Sequence, residues 1–247
     1  MVLPTNSYSL DLPERCLDLF STLLPFVEQN EQLASRYGGP LTTTLTLAMA
    51  APMLTLPIER IERQLQNAEG YADDRVVSRR LAEKIEAAVL GKRLSDHPIF
   101  ADLDWSFMQS VPPFNIARGL PDEIAEHLHT RIARSSAREL QFTTFLSCLR
   151  NGLSHGGILY LNEHGQTSGG EARMFCFVSA RQDRTQPRCD KRDGRCPTVV
   201  PRTRDLRLLR ISEIRFREFL FKWVHWLKEA GLENLAADEA NKNTTES

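Results

Sequence analysis

Apolar residues recur at helical spacing through most of this chain, and the pattern changes once. Over 12–34, Leu17, Phe20, Leu23, Leu24 and Val27 fall on one face and predict a helix. Pro13 suits its first turn and Pro25 kinks it. Tyr37-Gly38-Gly39-Pro40 stops it. Residues 42–51 predict a buried helix that Pro52 ends or bends. Ile58, Ile61 and Leu65 mark a second helix over 57–68. Ser78 caps the next, which buries Leu81, Ile85 and Val89 and stops at Gly91. Residues 95–119 hold no sustained period and predict a long loop, anchored by Phe100, Trp105, Phe107 and Phe114.

Pro121 opens a helix with Ile124, Leu128 and Ile132 on its stripe. His127 and His129 lie off that stripe and read as surface residues. Ser135 or Ser136 caps a further helix that buries Phe142, Phe145, Leu146, Leu149 and Leu153; Gly152, Gly156 and Gly157 weaken or end it. The period then shortens. Residues 158–161 and 174–178 are β-prone and flank a glycine-rich turn, so they predict a hairpin. Residues 206–211 predict a third strand. Ser212 caps a final helix over 212–230, whose Phe216, Phe219, Trp223, Val224 and Trp226 require burial in a core or against a partner. The polar tail, 236–247, predicts disorder.

The expected architecture is therefore mainly α. It is a single domain over 1–235, helical over 11–155, with a small β-hairpin or sheet and a basic segment over 157–210 placed before the last helix. Hydrophobic residues make up 41% of the chain and charged residues 26%, proportions that support a packed core and exclude a low-complexity chain. No stretch reaches the ~20 apolar residues of a membrane helix. With no basic, apolar leader at the start and five scattered cysteines, the chain reads as cytoplasmic with reduced thiols. Six residues separate Cys189 from Cys196, a wider spacing than in a zinc knuckle, so no metal and no cofactor is expected.

The net charge of −1 removes a polycation from consideration. Nucleic-acid binding would need a local patch, and the segment 181–210 supplies a candidate in Arg181, Arg184, Arg188, Lys191, Arg192 and Arg195. A solvated loop is the competing reading.

The densest chemistry lies at Arg150-Asn151-Gly152-Leu153-Ser154-His155. An imidazole titrates near neutrality and can take or give the proton of a ribose 2′-hydroxyl. A guanidinium stays charged and matches phosphate oxygens in pairs, so it can stabilise a phosphorane. Asn151 can orient either group. The competing reading makes Arg150 a surface ion pair and His155 a helix cap. On an ideal helix, five residues turn through roughly 500°, which sets Arg150 and His155 about 140° apart. Either Gly152 breaks the helix or two subunits share one groove.

This run resembles the signature of the HEPN superfamily: arginine, a polar residue, a short spacer, histidine. The similarity extends loosely to the helix before it, the hairpin after it and the final Trp-rich helix. The resemblance implies a HEPN-like helical bundle that dimerises and cleaves RNA without metal, with Arg150, Asn151 and His155 catalytic. It also implies a toxin–antitoxin or phage-defence setting with an antitoxin or regulatory partner. A non-catalytic HEPN module that binds RNA, a nucleotide or a protein is the alternative.

Overall fold

The computed structural model describes residues 8–65, 79–167, 169–183 and 202–230. Helix α1 (Tyr8–Gln29) and α2 (Glu31–Tyr37) replace the single helix expected over 12–34. The break is Asn30, whose side chain accepts from the Leu33 N–H at 3.0 Å and restarts the helix. Helix α3 (Thr42–Leu65) runs unbroken through Pro52 and Pro57, where two helices were expected. Ala50, Met53, Leu54, Ile58 and Ile61, on both sides of the prolines, are buried in one core. That burial offsets the hydrogen bonds the prolines remove. Helix α4 (Arg79–Val89) stops before Gly91, which holds φ +70°.

The largest departure lies in 95–119. Two short 3-10 turns there lead into strand β1 (Ser106–Val111). The strand escapes a period-two reading because Ser106 and Phe107 are both buried and the register slips between Met108 and Val111. Helix α5 (Asp122–His129) and α6 (Arg131–Arg138) follow, separated by Thr130, whose hydroxyl accepts from Ala133 N–H at 3.2 Å. Ile132 is left 67% exposed, off the stripe that the sequence assigned it. Helix α7 (Phe142–Ser154) is begun by backbone pairing, Phe142 N–H to Lys92 O at 2.8 Å, and not by Ser135 or Ser136.

Strands β2 (Ile158–Leu161), β3 (Met174–Asp183) and β4 (Arg202–Ser212) complete an antiparallel sheet of order β1-β4-β3-β2, and α8 (Glu213–Glu229) ends the described chain. The architecture is thus mixed α/β. The described residues form eight α-helices and a four-stranded antiparallel sheet, which overturns the mainly α, HEPN-like bundle with a small hairpin. The sheet was underestimated because β1 was hidden and because β3 and β4 run well past 174–178 and 206–211.

Alternation along the strands sorts the two faces. Phe175, Phe177, Leu209 and Ile211 join the larger core with α1, α3, α7 and α8. Cys176, Val178, Leu206 and Leu208 join a second core with Leu128 of α5. The larger core is rich in rings: Phe145 meets Phe100 and Trp105 edge-on at 4.9 Å each. Trp223 is fully buried and donates to Met53 O at 3.0 Å. The two tryptophans of α8, Trp223 and Trp226, are therefore core residues. No single helix among the described residues is long and apolar enough to cross a membrane; one bent pair, α2 with α3, passes by length and composition. The tail 236–247 lies outside the described residues.

Candidate functional site

Helix α7 lies directly on β3. A Cβ on Gly152 would come within 2.9 Å of Phe177 Cβ, and one on Gly157 within 2.5 Å of Val178 O. These glycines allow close approach, and Gly152 does not break the helix, which runs on to Ser154. His155 is the first residue beyond it (φ −107°, ψ 8°), and its N–H donates to Asn151 O at 3.0 Å.

Arg150, Asn151 and His155 line one open groove of about 730 Å³ in a single chain. Val178, Ser179 and Gln182 of β3 form another wall, and Ile116, from the segment read as loop, reaches it too.

Each predicted residue has a distinct setting. Arg150 Nη2 donates to Glu62 Oε2 of α3 at 2.6 Å, and its Nε is buried without a partner. The ion pair is partly buried, its side chains 28% and 15% exposed, and of the two only Arg150 lines the groove. Asn151 Nδ2 donates to Ser179 Oγ at 3.0 Å, which fixes the amide and leaves its carbonyl oxygen for other work. His155 is exposed, and its ring takes up no side-chain hydrogen bond among the described residues.

Glu62 and Ser179 are the residues that sequence reasoning missed. Glu62 sits on α3, 88 positions from Arg150, and only the fold joins them. A trace of Ser179 was legible as a polar residue that ends the apolar run 174–178 on the inward-facing register.

Burial raises the Glu62 carboxyl above the usual 4.5, outweighing the Arg150 charge and hydrogen bond that pull it down, and Glu59 adds to the rise. A carboxyl raised in this way binds its proton more tightly folded than unfolded. Its contribution to stability is present below pH 4.5 and lost as the pH climbs through the raised value. The melting temperature of wild type minus that of Glu62→Gln is therefore expected to fall from pH 4.5 toward neutrality. A rising difference would show that the ion pair with Arg150 dominates instead.

Beneath the groove, Cys148 is fully buried, against Arg207 and Ser179. Burial pushes its thiol up to about 11, despite the neighbouring Arg207 charge. A thiol so raised is no nucleophile.

The basic patch changes in kind. Arg181 is on β3, half-buried, 3.5 Å from Asp205. Arg207 and Arg210 are strand residues, and Arg210 is 4% exposed, donating to Leu128 O at 2.7 Å. Arg210 and His129, 3.4 Å apart, lie away from the groove. Arg184, Arg188, Lys191, Arg192 and Arg195 lie outside the described residues, as do Cys189 and Cys196. They belong to the connection from β3 to β4, and β3 is also a wall of the groove. Among the described residues, no cluster of His, Cys, Asp and Glu could hold a metal ion.

Comparison of the chain with protein-family models, with curated proteins and with solved structures finds no match.

Proposed function

We propose that this groove binds RNA and cleaves it by internal transesterification, the chemistry of the HEPN ribonucleases whose motif Arg150, Asn151 and His155 resemble. What supports the reading above all is that these three residues, chosen for their chemistry, line one groove. The 2′-oxygen attacks the adjacent phosphorus, the 2′-O–P bond forms and the P–O5′ bond breaks. The products carry a 2′,3′-cyclic phosphate and a 5′-hydroxyl. His155 takes the 2′-hydroxyl proton or gives one to the departing 5′-oxygen. Arg150 faces the charge that grows on the phosphoryl oxygens. Asn151, held by Ser179, positions the phosphate. The nucleophile belongs to the substrate, so this route asks no metal or cofactor of the protein.

The wider setting follows the same reading: a cytoplasmic enzyme, working as a homodimer and restrained by an antitoxin-like or regulatory partner. The groove within one chain does not itself demand the dimer. The basic residues Arg184, Arg188, Lys191, Arg192 and Arg195 gather RNA, and salt weakens that binding.

One change in the RNA and two at Arg150 test the chemistry. Placing a single 2′-deoxynucleotide at a mapped cut site is expected to abolish cleavage there and nowhere else. Arg150→Ala is expected to lower kcat by about 10²–10³-fold, with Arg150→Lys recovering only part, because an ammonium cannot span two phosphate oxygens. Cleavage at the deoxy position would overturn the mechanism.

A further inference from the structure

The groove draws on both faces of β3, and the two faces differ in chemistry. Strand β2 pairs with β3 only as far as Phe177. Val178 still donates to Gly157 O at 2.7 Å, and β3 then runs on to Asp183. The groove lies along this stretch. Successive side chains of a strand point to opposite faces. Ser179 is on the face of α7, where its hydroxyl holds Asn151. Val178 and Ala180 are on the other face, with Leu206 directly across from Ala180. Ile116 reaches that face from outside the sheet and packs on the second core, to which Val178 and Leu206 belong. One side of the groove is therefore polar, with Arg150, Asn151 and His155; the other is apolar and built on Ile116.

Ile116 is held in place from both ends of its 3-10 turn. Asn115 Oδ1 accepts from Ala117 N–H at 3.0 Å and starts the turn. Thr167 Oγ1 accepts from Leu120 N–H at 2.9 Å and ties down the far end. A Cβ on Gly119 would come within 2.7 Å of that hydroxyl, so any other residue there would part the two segments. Half-buried, Ile116 keeps apolar surface toward the groove. Gln182 completes this side. The pairing of β3 with β4 slips between Arg181 and Gln182, and such a bulge re-aims a side chain. Gln182 is exposed and lines the groove, and its amide takes up no hydrogen bond among the described residues.

Phosphate needs only the polar side. A fixed apolar wall suits the flat face of a base, and a carboxamide suits its edge. An amide offers one donor group and one acceptor, which adenine matches in a pair through N6 and N7. Adenine is also the RNA base without a carbonyl oxygen, so contact with an apolar wall costs it the least lost hydration. The competing reading makes Gln182 a solvated strand residue and Ile116 a lid on the second core. We infer that this side of the groove is a base-binding subsite selecting adenine beside the phosphate that is cut. The base lies on Ile116 and Gln182 reads its edge. A base stacked inside a duplex cannot present its face to Ile116, so the substrate is single-stranded. The subsite rests on the RNA reading of the groove and adds to it which nucleotide is chosen.

The test uses the full chain and four fluorescein-labelled ten-nucleotide 2′-O-methyl RNAs, which offer no attacking hydroxyl. Each is uridine throughout except for one central position, which is A, G, C or U. Wild type is expected to bind the adenine probe about tenfold more tightly than the C and U probes, the discrimination of one bidentate contact. Gln182→Leu should level the four. Gln182→Glu, which can only accept, should move the preference to guanine, whose N1–H and N2–H₂ donate side by side. Gln182 is exposed, so both variants should melt with wild type. Four probes bound alike by wild type, preference for a base other than adenine, or an adenine preference untouched in Gln182→Leu would overturn the subsite and leave the RNA reading standing. Binding of none of the four would overturn the RNA reading and the subsite with it.

Discussion

His155→Ala is expected to lower RNA cleavage by about 10²–10⁴-fold, the usual worth of a positioned acid or base, while the melting temperature hardly moves. The two halves of that expectation come from one observation. His155 is exposed, and its contribution to the helix end is made by its backbone N–H, which donates to Asn151 O. Alanine keeps that N–H. The loss should therefore fall on kcat, with KM little changed, because the imidazole acts on protons that move in the transition state and not on bound phosphate. If His155 were merely a cap, its variant would melt earlier and cut as well as wild type. Surface substitutions away from special features usually stay within about 0.5 kcal/mol, so the two readings are separable in one pair of measurements.

The second large effect is structural. Phe145→Ala is expected to cost about 3–5 kcal/mol, a substantial part of the ~5–15 kcal/mol that holds a domain folded. Phe145 is fully buried. Its ring packs edge-on against Phe100, Trp105 and Phe219, drawn from a 3-10 turn, the approach to β1 and α8. No neighbour can collapse into that space without giving up its own ring contacts. Phe145 also stands on α7, the helix that carries Arg150 and Asn151. Urea titration should show the lower midpoint, and activity should fall at temperatures where the variant is still mostly folded. A cost under about 1 kcal/mol would mean that the ring cluster is far more plastic than packed interiors are.

The motif at Arg150, Asn151 and His155 was legible because its chemistry is local: residue types suited to phosphate and proton work, at the end of an apolar-striped helix. Helices α4 and α8 and the apolar stripe of α7 were legible for a related reason, but the start of α7 was not, since backbone pairing with Lys92 begins it and not Ser135 or Ser136. The sheet was only half legible. Strands β2, β3 and β4 announce themselves as apolar β-prone runs, two of them flanking a glycine-rich turn, but β1 is six residues long, half polar and set between prolines, so no such run marks it. Without β1 the C-terminal half reads as a hairpin on a bundle. The prolines of α3 misled in the opposite sense, because local breaking signals lost to burial on both sides of them. Glu62 was beyond reach, because its meaning lies in Arg150, which faces it across the fold, and no spacing along the chain encodes that pairing.

The most direct measurement is the chemistry of the cut ends. A labelled RNA pool is incubated with the full chain in EDTA and the products are identified by mass spectrometry. The account predicts cleavage by wild type, products ending in 2′,3′-cyclic phosphate and 5′-hydroxyl, and none of these from His155→Ala at the same enzyme concentration. Products ending in 3′-hydroxyl and 5′-phosphate, or equal yields from both proteins, would contradict it.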